Sequence, residues 1–173
     1  MKKIISFLFA ILLISSSTGC GGEKDDATNN KTKMTTFDNY YITFTHPIEY
    51  EPDENANELD SYSTLYHKDG GGYISVSMDD ILDEPIEKRK DQYVEFFDDP
   101  DKNYGYEKAE ELTVDGRKAW LVYFGMPRHR ISFLIVEYSA DNFIVFDFYL
   151  NSDGNEDQIT KDIIDSIKIK QNS

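Results

Sequence analysis

Apolar residues are distributed along this chain in four patterns, and each predicts a different structure. Between Ile4 and Ile14 they are nearly continuous, broken only by Ser6. From Gly21 to Thr36 they almost vanish. From Tyr40 they alternate: Tyr40, Ile42 and Phe44 stand against Tyr41, Thr43 and Thr45, the mark of a half-buried strand over Tyr40 to His46. Ser61 to His67 and Tyr73 to Asp79 read as the next pair of strands, joined by Lys68-Asp69-Gly70-Gly71-Gly72, a hairpin loop. Those three glycines carry no phosphate-loop signature, because no Gly-Lys-Ser/Thr follows and the next element is a strand.

The fourth pattern is helical. Pro85 sits where a first helical residue belongs, and Ile86, Tyr93 and Phe97 then fall on one face. This helix ends at Asp98-Asp99-Pro100, since a proline biases its predecessor away from the α region. Glu107 to Val114 and Arg117 to Gly125 form a hairpin about Asp115-Gly116, the strongest short turn signal. Ile131 to Tyr138 and Phe143 to Leu150 follow across Ser139-Ala140-Asp141-Asn142. Asp153 and Glu156 have the spacing of a capping box for a last helix, with Ile159, Ile163 and Ile167 on one face and Ile164 beside them.

The later strands set the architecture. Ala119, Leu121 and Tyr123 oppose Trp120, Val122 and Phe124; Ser132, Leu134 and Val136 oppose Ile131, Phe133 and Ile135; Phe143 and Val145 oppose Ile144, Phe146 and Phe148. Both faces are apolar, whereas an antiparallel sheet usually wets one. Such a sheet needs cover on both sides, and two helices are at hand. The expected class is α+β: a single antiparallel sheet of about seven strands with helices on both faces, an α/β/α sandwich. Trp120 is expected to be mostly buried between sheet and helix.

The first pattern has the layout of an export signal: Lys2 and Lys3, an apolar run, then Ser15-Ser16-Ser17-Thr18-Gly19 leading small residues into Cys20. The run is too short to span a bilayer, which takes about 20 apolar residues. Thr18-Gly19-Cys20 resembles the bacterial lipobox, with Ser17 in place of its usual Leu; the resemblance implies that Cys20 is acylated and becomes the mature N-terminus. Two or more acyl chains hold a protein stably at a membrane, each buried CH₂ contributing about 0.8 kcal/mol. The expected partition is therefore a leader over 1–19, lipidated Cys20 and a polar tether over 20–36, and a globular domain over 37–170. The tether spans about 20 to 24 Å root-mean-square. The expected location is the exported side of a cell membrane or outer membrane, with the lipid bilayer as a partner through Cys20.

Charge and cysteine count narrow the function. The 173 residues carry 33 Asp plus Glu against 18 Lys plus Arg, a net charge of −15 that grows more negative once Lys2 and Lys3 leave with the leader. Nucleic-acid binding is excluded as an expectation, because neutralising phosphates requires clustered Lys and Arg. Cys20 is the single cysteine, so the folded part has no disulfide, thiolate metal site or cysteine nucleophile.

The order of three strands, a helix, four strands and a helix resembles the PsbP-like fold, shared by an extrinsic photosystem subunit, a Ran-binding nuclear transport factor and many bacterial lipoproteins of unknown function. The residues that carry it are Tyr41-Ile42-Thr43-Phe44 before Pro47, Val114-Asp115-Gly116-Arg117-Lys118-Ala119, and Ile164-Asp165-Ser166-Ile167 in the last helix. The resemblance implies a partner-binding protein with no catalytic residues and no cofactor.

A search for chemistry adds little. His46, His67 and His129 form no His-x-x-x-His or Glu-x-x-His pair, and no serine lies in a Gly-x-Ser-x-Gly elbow. Asp99, Asp101, Asn103 and Glu110 fall at the first, third, fifth and twelfth positions of a calcium loop. Tyr104 stands where that loop turns on Gly, and Glu110 is expected inside a strand, so the expectation is a solvated turn. Asp99, Asp101 and Asn103 remain the calcium candidates. Alternating hairpins gather the 99–106, 126–130 and 150–155 segments at one end of the sheet. There Arg128-His129-Arg130, the compact basic cluster of the domain, meets Tyr104, Asn151 and Asp153 in a candidate binding rim; the plainer expectation is that the arginines pair with neighbouring acids.

Two functions from different classes are expected of such a chain. One is a non-catalytic lipoprotein that binds an envelope protein or assembles with a membrane complex. The other is an envelope protein that binds a ligand or a cation such as calcium.

Overall fold

Asp115 and Gly116 both take positive φ, 47° and 80°, so the turn expected there forms with Val114 paired to Arg117. A two-residue turn of this kind matches the right-handed twist of its strands and favours Gly at its second position. Around it, the computed structural model describes residues 32–53, 62–80, 84–98, 105–125, 129–150 and 155–170.

The described strands and helices are β1 (Met34–Asp38), β2 (Ile42–Pro47), β3 (Tyr50–Pro52), β4 (Tyr62–His67), β5 (Tyr73–Asp80), α1 (Ile86–Phe97), β6 (Gly105–Val114), β7 (Arg117–Gly125), β8 (Arg130–Ser139), β9 (Asn142–Tyr149), α2 (Glu156–Ser166) and β10 (Lys168–Ile169). A seven-stranded antiparallel sheet runs β3-β4-β5-β9-β8-β7-β6, and a three-stranded sheet runs β1-β2-β10. In the large sheet α1 carries the chain from β5 to the far edge, and the β6 to β9 meander returns to lie beside β5.

Each face of the large sheet has its own core, divided as the alternation predicts. On one side Leu65, Ile74, Leu121, Leu134, Ile144, Phe146 and Phe148 pack with Ile42 and Phe44 of β2 and with Ile163, Ile164 and Ile167. On the other, Ile86, Tyr93 and Phe97 of α1 meet Val122, Phe124, Phe133, Ile135 and Val145. The architecture is α+β with a helix on each side of the sheet, and one outer layer is composite: α2 packs on β2 of the small sheet. Ser166 joins the two, accepting a hydrogen bond from the Thr45 N–H at 2.8 Å and donating to the Ile163 carbonyl at 2.6 Å. Trp120 is half-buried against Ile86, Ile135 and Phe143.

Four expectations need correction. The strand expected over Tyr40 to His46 does not join the large sheet; β2 lies across its face, with Phe44 5.4 Å from Phe146, and β3 is the seventh strand. Alternation marks a half-buried strand without saying which sheet it enters. The β1 strand takes in Met34, Thr35 and Thr36 from the expected tether, paired to Pro47, His46 and Thr45. That ordering comes from backbone pairing, with their side chains exposed. The last helix ends at Ser166, leaving Ile167 outside it as a C-cap whose ψ of 131° is extended, and Ile169 continues in β10. Finally, Asn155 holds the N-cap of α2 and Glu156 is its first residue, so Glu156 does not stand at the third helical position a capping box requires; Asp153 lies outside the described residues.

Candidate functional site

Helix α1 packs on β6, β7 and β8. Toward β5 and β4 the same sheet face turns from apolar to polar. In one row of paired positions, Phe133 lies opposite Asp147, Asp147 opposite Ser75, and Ser75 opposite Thr64. In the next, Ile135 lies opposite Val145, Val145 opposite Ser77, and Ser77 opposite Tyr62. Between this strip and the flank of α1 lies a cleft of about 610 Å³, within the usual range for small-molecule sites.

The floor of the cleft is Ser75, Ser77, Phe133, Val145 and Asp147, and its helical wall is Arg89, Gln92, Tyr93, Phe96 and Phe97. Arg89 clamps helix to sheet: it pairs with Asp79 of β5, donates to Gln92 Oε1 at 3.0 Å, and lies 5.0 Å from the Tyr93 ring centroid. Gln92 in turn donates to Glu84 Oε2 at 2.9 Å. Beneath them Phe97 lies 4.5 Å from Phe133, fixing the wall to the floor. Two rings remain open to solvent at the mouth, Tyr62 at 58% and Phe96 at 64% exposure.

Asp147 is the unusual group. Burial pushes its carboxyl up to about 6, against the opposing effect of the Tyr73 hydroxyl, which donates to Oδ2 at 2.9 Å. Its Oδ1 is buried without a hydrogen-bond partner among the described residues, as is Arg89 Nε. A buried polar atom left unpaired costs about 1 to 3 kcal/mol. Both atoms are sealed from solvent, so each is a local cost to the fold beside the cleft. Burial, together with the Asp79 carboxylate, also raises the Tyr93 hydroxyl above its ordinary value.

Comparison with known proteins gives a fold and no more. No protein-family model and no curated protein matches the chain. The solution structure of cyanobacterial PsbP (CyanoP) from Synechocystis sp. PCC 6803 is similar, with a TM-score of 0.57 at 11% identity over 88% of this chain and 98% of that one. The fold is PsbP-like. A Bacteroides thetaiotaomicron crystal structure has a TM-score of 0.46 at 9% identity, over 75% of this chain and 45% of that one.

This PsbP-like domain gathers the described part of the expected rim as topology requires, but Arg130 is already committed. Gly105 pairs with Gly125, Gly125 with Arg130, and Ile131 with Tyr149, all at one sheet end. Arg130 Nη1 donates to both Asp157 oxygens, at 2.8 and 3.0 Å, and Nε lies 3.0 Å from Glu107 Oε2. Glu107 folds over Gly125 so closely that a Cβ there would lie 2.5 Å from its Oε1. His129 rests against the Tyr149 ring at 5.4 Å. Tyr104, Arg128, Asn151 and Asp153 of the rim lie outside the described residues, as do Cys20 and the calcium candidates Asp99, Asp101 and Asn103. Glu110 is inside β6, bonded to Lys108 at 2.6 Å.

No metal site forms among the described residues, none of which gather three or more His, Cys, Asp or Glu in reach of one ion. His46 is buried with Nδ1 2.9 Å from the Pro47 carbonyl, and His67 packs on Tyr50 at 5.1 Å. None of the cleft residues was singled out by motif. Asp147 nevertheless carried a signal: it is the acid inside Phe143-Ile144-Val145-Phe146-Asp147-Phe148, a strand otherwise apolar on both faces.

Proposed function

We propose that this chain is an exported, lipid-anchored protein that catalyses nothing and works by recognition, holding a component of the cell envelope at the cleft between α1 and the large sheet. The observation that carries the reading is that cleft: a concave site with aromatic walls, two rings exposed at its mouth, and a floor made polar by Ser75, Ser77 and Asp147. Sites that bind by shape and a few convergent polar groups have this composition. The anchor rests on the leader pattern and on Thr18-Gly19-Cys20. The polar run that follows Cys20, read from the sequence as a tether, supports a domain that stands off the lipid and presents the cleft. The expected rim supports recognition less well, since the Arg130 charge is consumed by Asp157 and Glu107.

The test has two parts. Cys20→Ala is expected to move the protein from the membrane fraction to the soluble exported fraction; retention on membranes after a salt wash overturns the anchor. Ser77→Trp, which fills the cleft from its floor, is expected to abolish recovery of the bound component from solubilised envelope. Unchanged recovery with a fully folded Ser77→Trp variant overturns the cleft as the recognition site.

A further inference from the structure

We infer that the domain meets the membrane end-on: the end of the large sheet beside which the chain enters β1 lies in the lipid headgroup interface through Met34, Ile48, Tyr66 and Tyr106. The inference rests on the acylation of Cys20 and adds to it which surface of the domain the bilayer covers.

Backbone bonds gather these residues at one end. The Ile48 N–H donates to the Lys33 carbonyl at 2.9 Å, beside the entry of the chain into β1. The Lys68 N–H donates to the Glu49 carbonyl at 2.9 Å, which ties that entry to the hairpin between β4 and β5. From this hairpin one register row crosses the sheet: Tyr66 lies opposite Tyr73, Tyr73 opposite Tyr149, Tyr149 opposite Ile131, Ile131 opposite Phe124, and Phe124 opposite Tyr106. Exposed large apolar and aromatic side chains concentrate here: Met34 at 37%, Ile48 at 45%, Tyr66 at 50% and Tyr106 at 41%. Phe96 is close by in the last turn of α1, where Asp98 accepts the Tyr106 N–H at 3.1 Å, and of the exposed rings among the described residues Tyr40 and Tyr62 stand elsewhere.

The position of the anchor selects lipid as the occupant. Cys20 and Thr32 are separated by a polar stretch of the chain that reaches at most about 43 Å when fully extended, and about 17 to 21 Å root-mean-square as a flexible coil. The opposite end of the sheet lies farther off, by about 30 Å along β7. The end beside the entry therefore meets the bilayer at high effective concentration, and contacts too weak to hold a free protein suffice. Tyrosine, with an apolar ring and a polar tip, settles at headgroup level, and Met34 and Ile48 add aliphatic surface. Charge supplies no attraction: Lys68 is paired with Glu51 at 3.0 Å and Arg130 with Asp157 at 2.8 Å, and a net charge of −15 is repelled by anionic lipid. Strands standing up from the surface leave the cleft clear, since Ser77 lies about 14 Å along β5 from Tyr73.

The experiment places the full-length acylated protein in phosphatidylcholine nanodiscs containing a lipid with a gadolinium-chelating headgroup, and compares NMR amide intensities with those in discs carrying the diamagnetic lutetium lipid. The amides of Met34, Ile48, Lys68, Tyr73 and Tyr106 are expected to lose most of their intensity, while those of Gly116, Arg117 and Asp141 at the opposite end keep theirs. Because the tether alone biases this end toward the disc, the control is a variant with Ile48→Asp and Tyr66→Asp. Both side chains are exposed, so the variant keeps the fold, and it is expected to stay on the disc while the difference between the two ends collapses. Equal loss at both ends of the wild type, or a difference that survives in the double variant, overturns the inference and leaves the anchor standing. Protein that elutes apart from the discs overturns the anchor and the inference with it. In phosphatidylglycerol discs the loss at Ile48 and Tyr106 is expected to be weaker and to recover as salt screens the repulsion. A loss that grows with anionic lipid and fades with salt assigns the contact to charge and overturns the inference.

Discussion

Tyr73 on β5 donates its hydroxyl to Asp147 Oδ2 on neighbouring β9 at 2.9 Å, while the other oxygen of that carboxylate is buried without a partner among the described residues. The two halves of one side chain are thus served unequally. The carboxyl responds by holding its proton up to about 6, above its ordinary 3.8, because burial penalises the charged form more than one hydrogen bond repays.

That shift makes a prediction about pH and stability. A carboxyl whose pKa is raised on folding contributes stability in full below its unfolded pKa and loses it as pH rises through the folded value. Asp147→Asn keeps the shape and cannot ionise. The variant is expected to match the wild type near pH 4 and to exceed it by about 2 to 3 kcal/mol at pH 7, at 1.36 kcal/mol per pKa unit. Tyr73→Phe removes the one interaction that opposes the shift and should move the midpoint upward. Urea unfolding of the three proteins across pH 4 to 8 checks this; a stability difference independent of pH sinks it.

Trp120 tests the helical cover of the large sheet. It packs on Ile86 of α1 together with Ile135 and Phe143, and Lys90 of the same helix lies 5.1 Å above its ring. Truncating a large buried aromatic costs about 3 to 5 kcal/mol, and a half-buried ring belongs at or below the lower bound. Trp120→Ala is therefore expected to cost about 2 to 3 kcal/mol, a large share of a typical 5 to 15, with native fluorescence between buried and solvent-like maxima. A melting temperature unchanged by the substitution would refute the packing.

Ser166 tests the opposite layer. Its hydroxyl is the hinge between α2 and β2, receiving the Thr45 N–H and donating to Ile163. In Ser166→Ala the Thr45 N–H, part-buried, loses its acceptor, and the expected cost is about 1 to 3 kcal/mol. Ser166→Thr retains the oxygen and should recover part of it. Hydrogen exchange localises the effect: the Thr45 amide is expected to lose protection selectively, and uniform loss across the domain would point to a general packing defect instead.

The elements legible in the sequence are those whose signal is local. Asp115-Gly116 specified its turn, and the two-sided alternation of residues 119 to 124, 131 to 136 and 143 to 148 implied a sheet covered on both faces, which Ile86 and Phe97 on one side and Ile163 on the other now provide. What escaped was non-local. The small sheet depends on Thr35 meeting His46 and Ile169 meeting Ile42, and backbone pairing leaves no pattern when the side chains are exposed threonines or a single isoleucine. The cleft escaped for the same reason. Arg89, Ser75 and Asp147 are far apart in sequence and share a site only because β9 inserts beside β5. At the sheet end, topology placed Arg130, and the plainer expectation that it pairs with neighbouring acids holds, though which acids, Asp157 and Glu107, depends on the packing of α2 and β6.

Arg130 separates those two sites. It bridges three elements, pairing with Glu107 of β6 and with Asp157 in the first turn of α2, while its guanidinium lies 5.6 Å from the Tyr123 ring. The pairs are partly solvent-exposed, the Arg130 side chain at 36% and Asp157 at 67%, so each contributes no more than about 1 kcal/mol. Both are screened by salt, whose Debye length is about 8 Å at physiological ionic strength. Arg130→Ser is thus expected to lower stability by about 1 kcal/mol at low salt and by less at high salt, where the wild type has already lost the same contribution. If recognition runs through the cleft, this variant should bind the envelope component as the wild type does. Thermal melts at two ionic strengths and the same recovery assay decide the matter: loss of binding by a folded Arg130→Ser protein would return recognition to the sheet end and take it from the cleft.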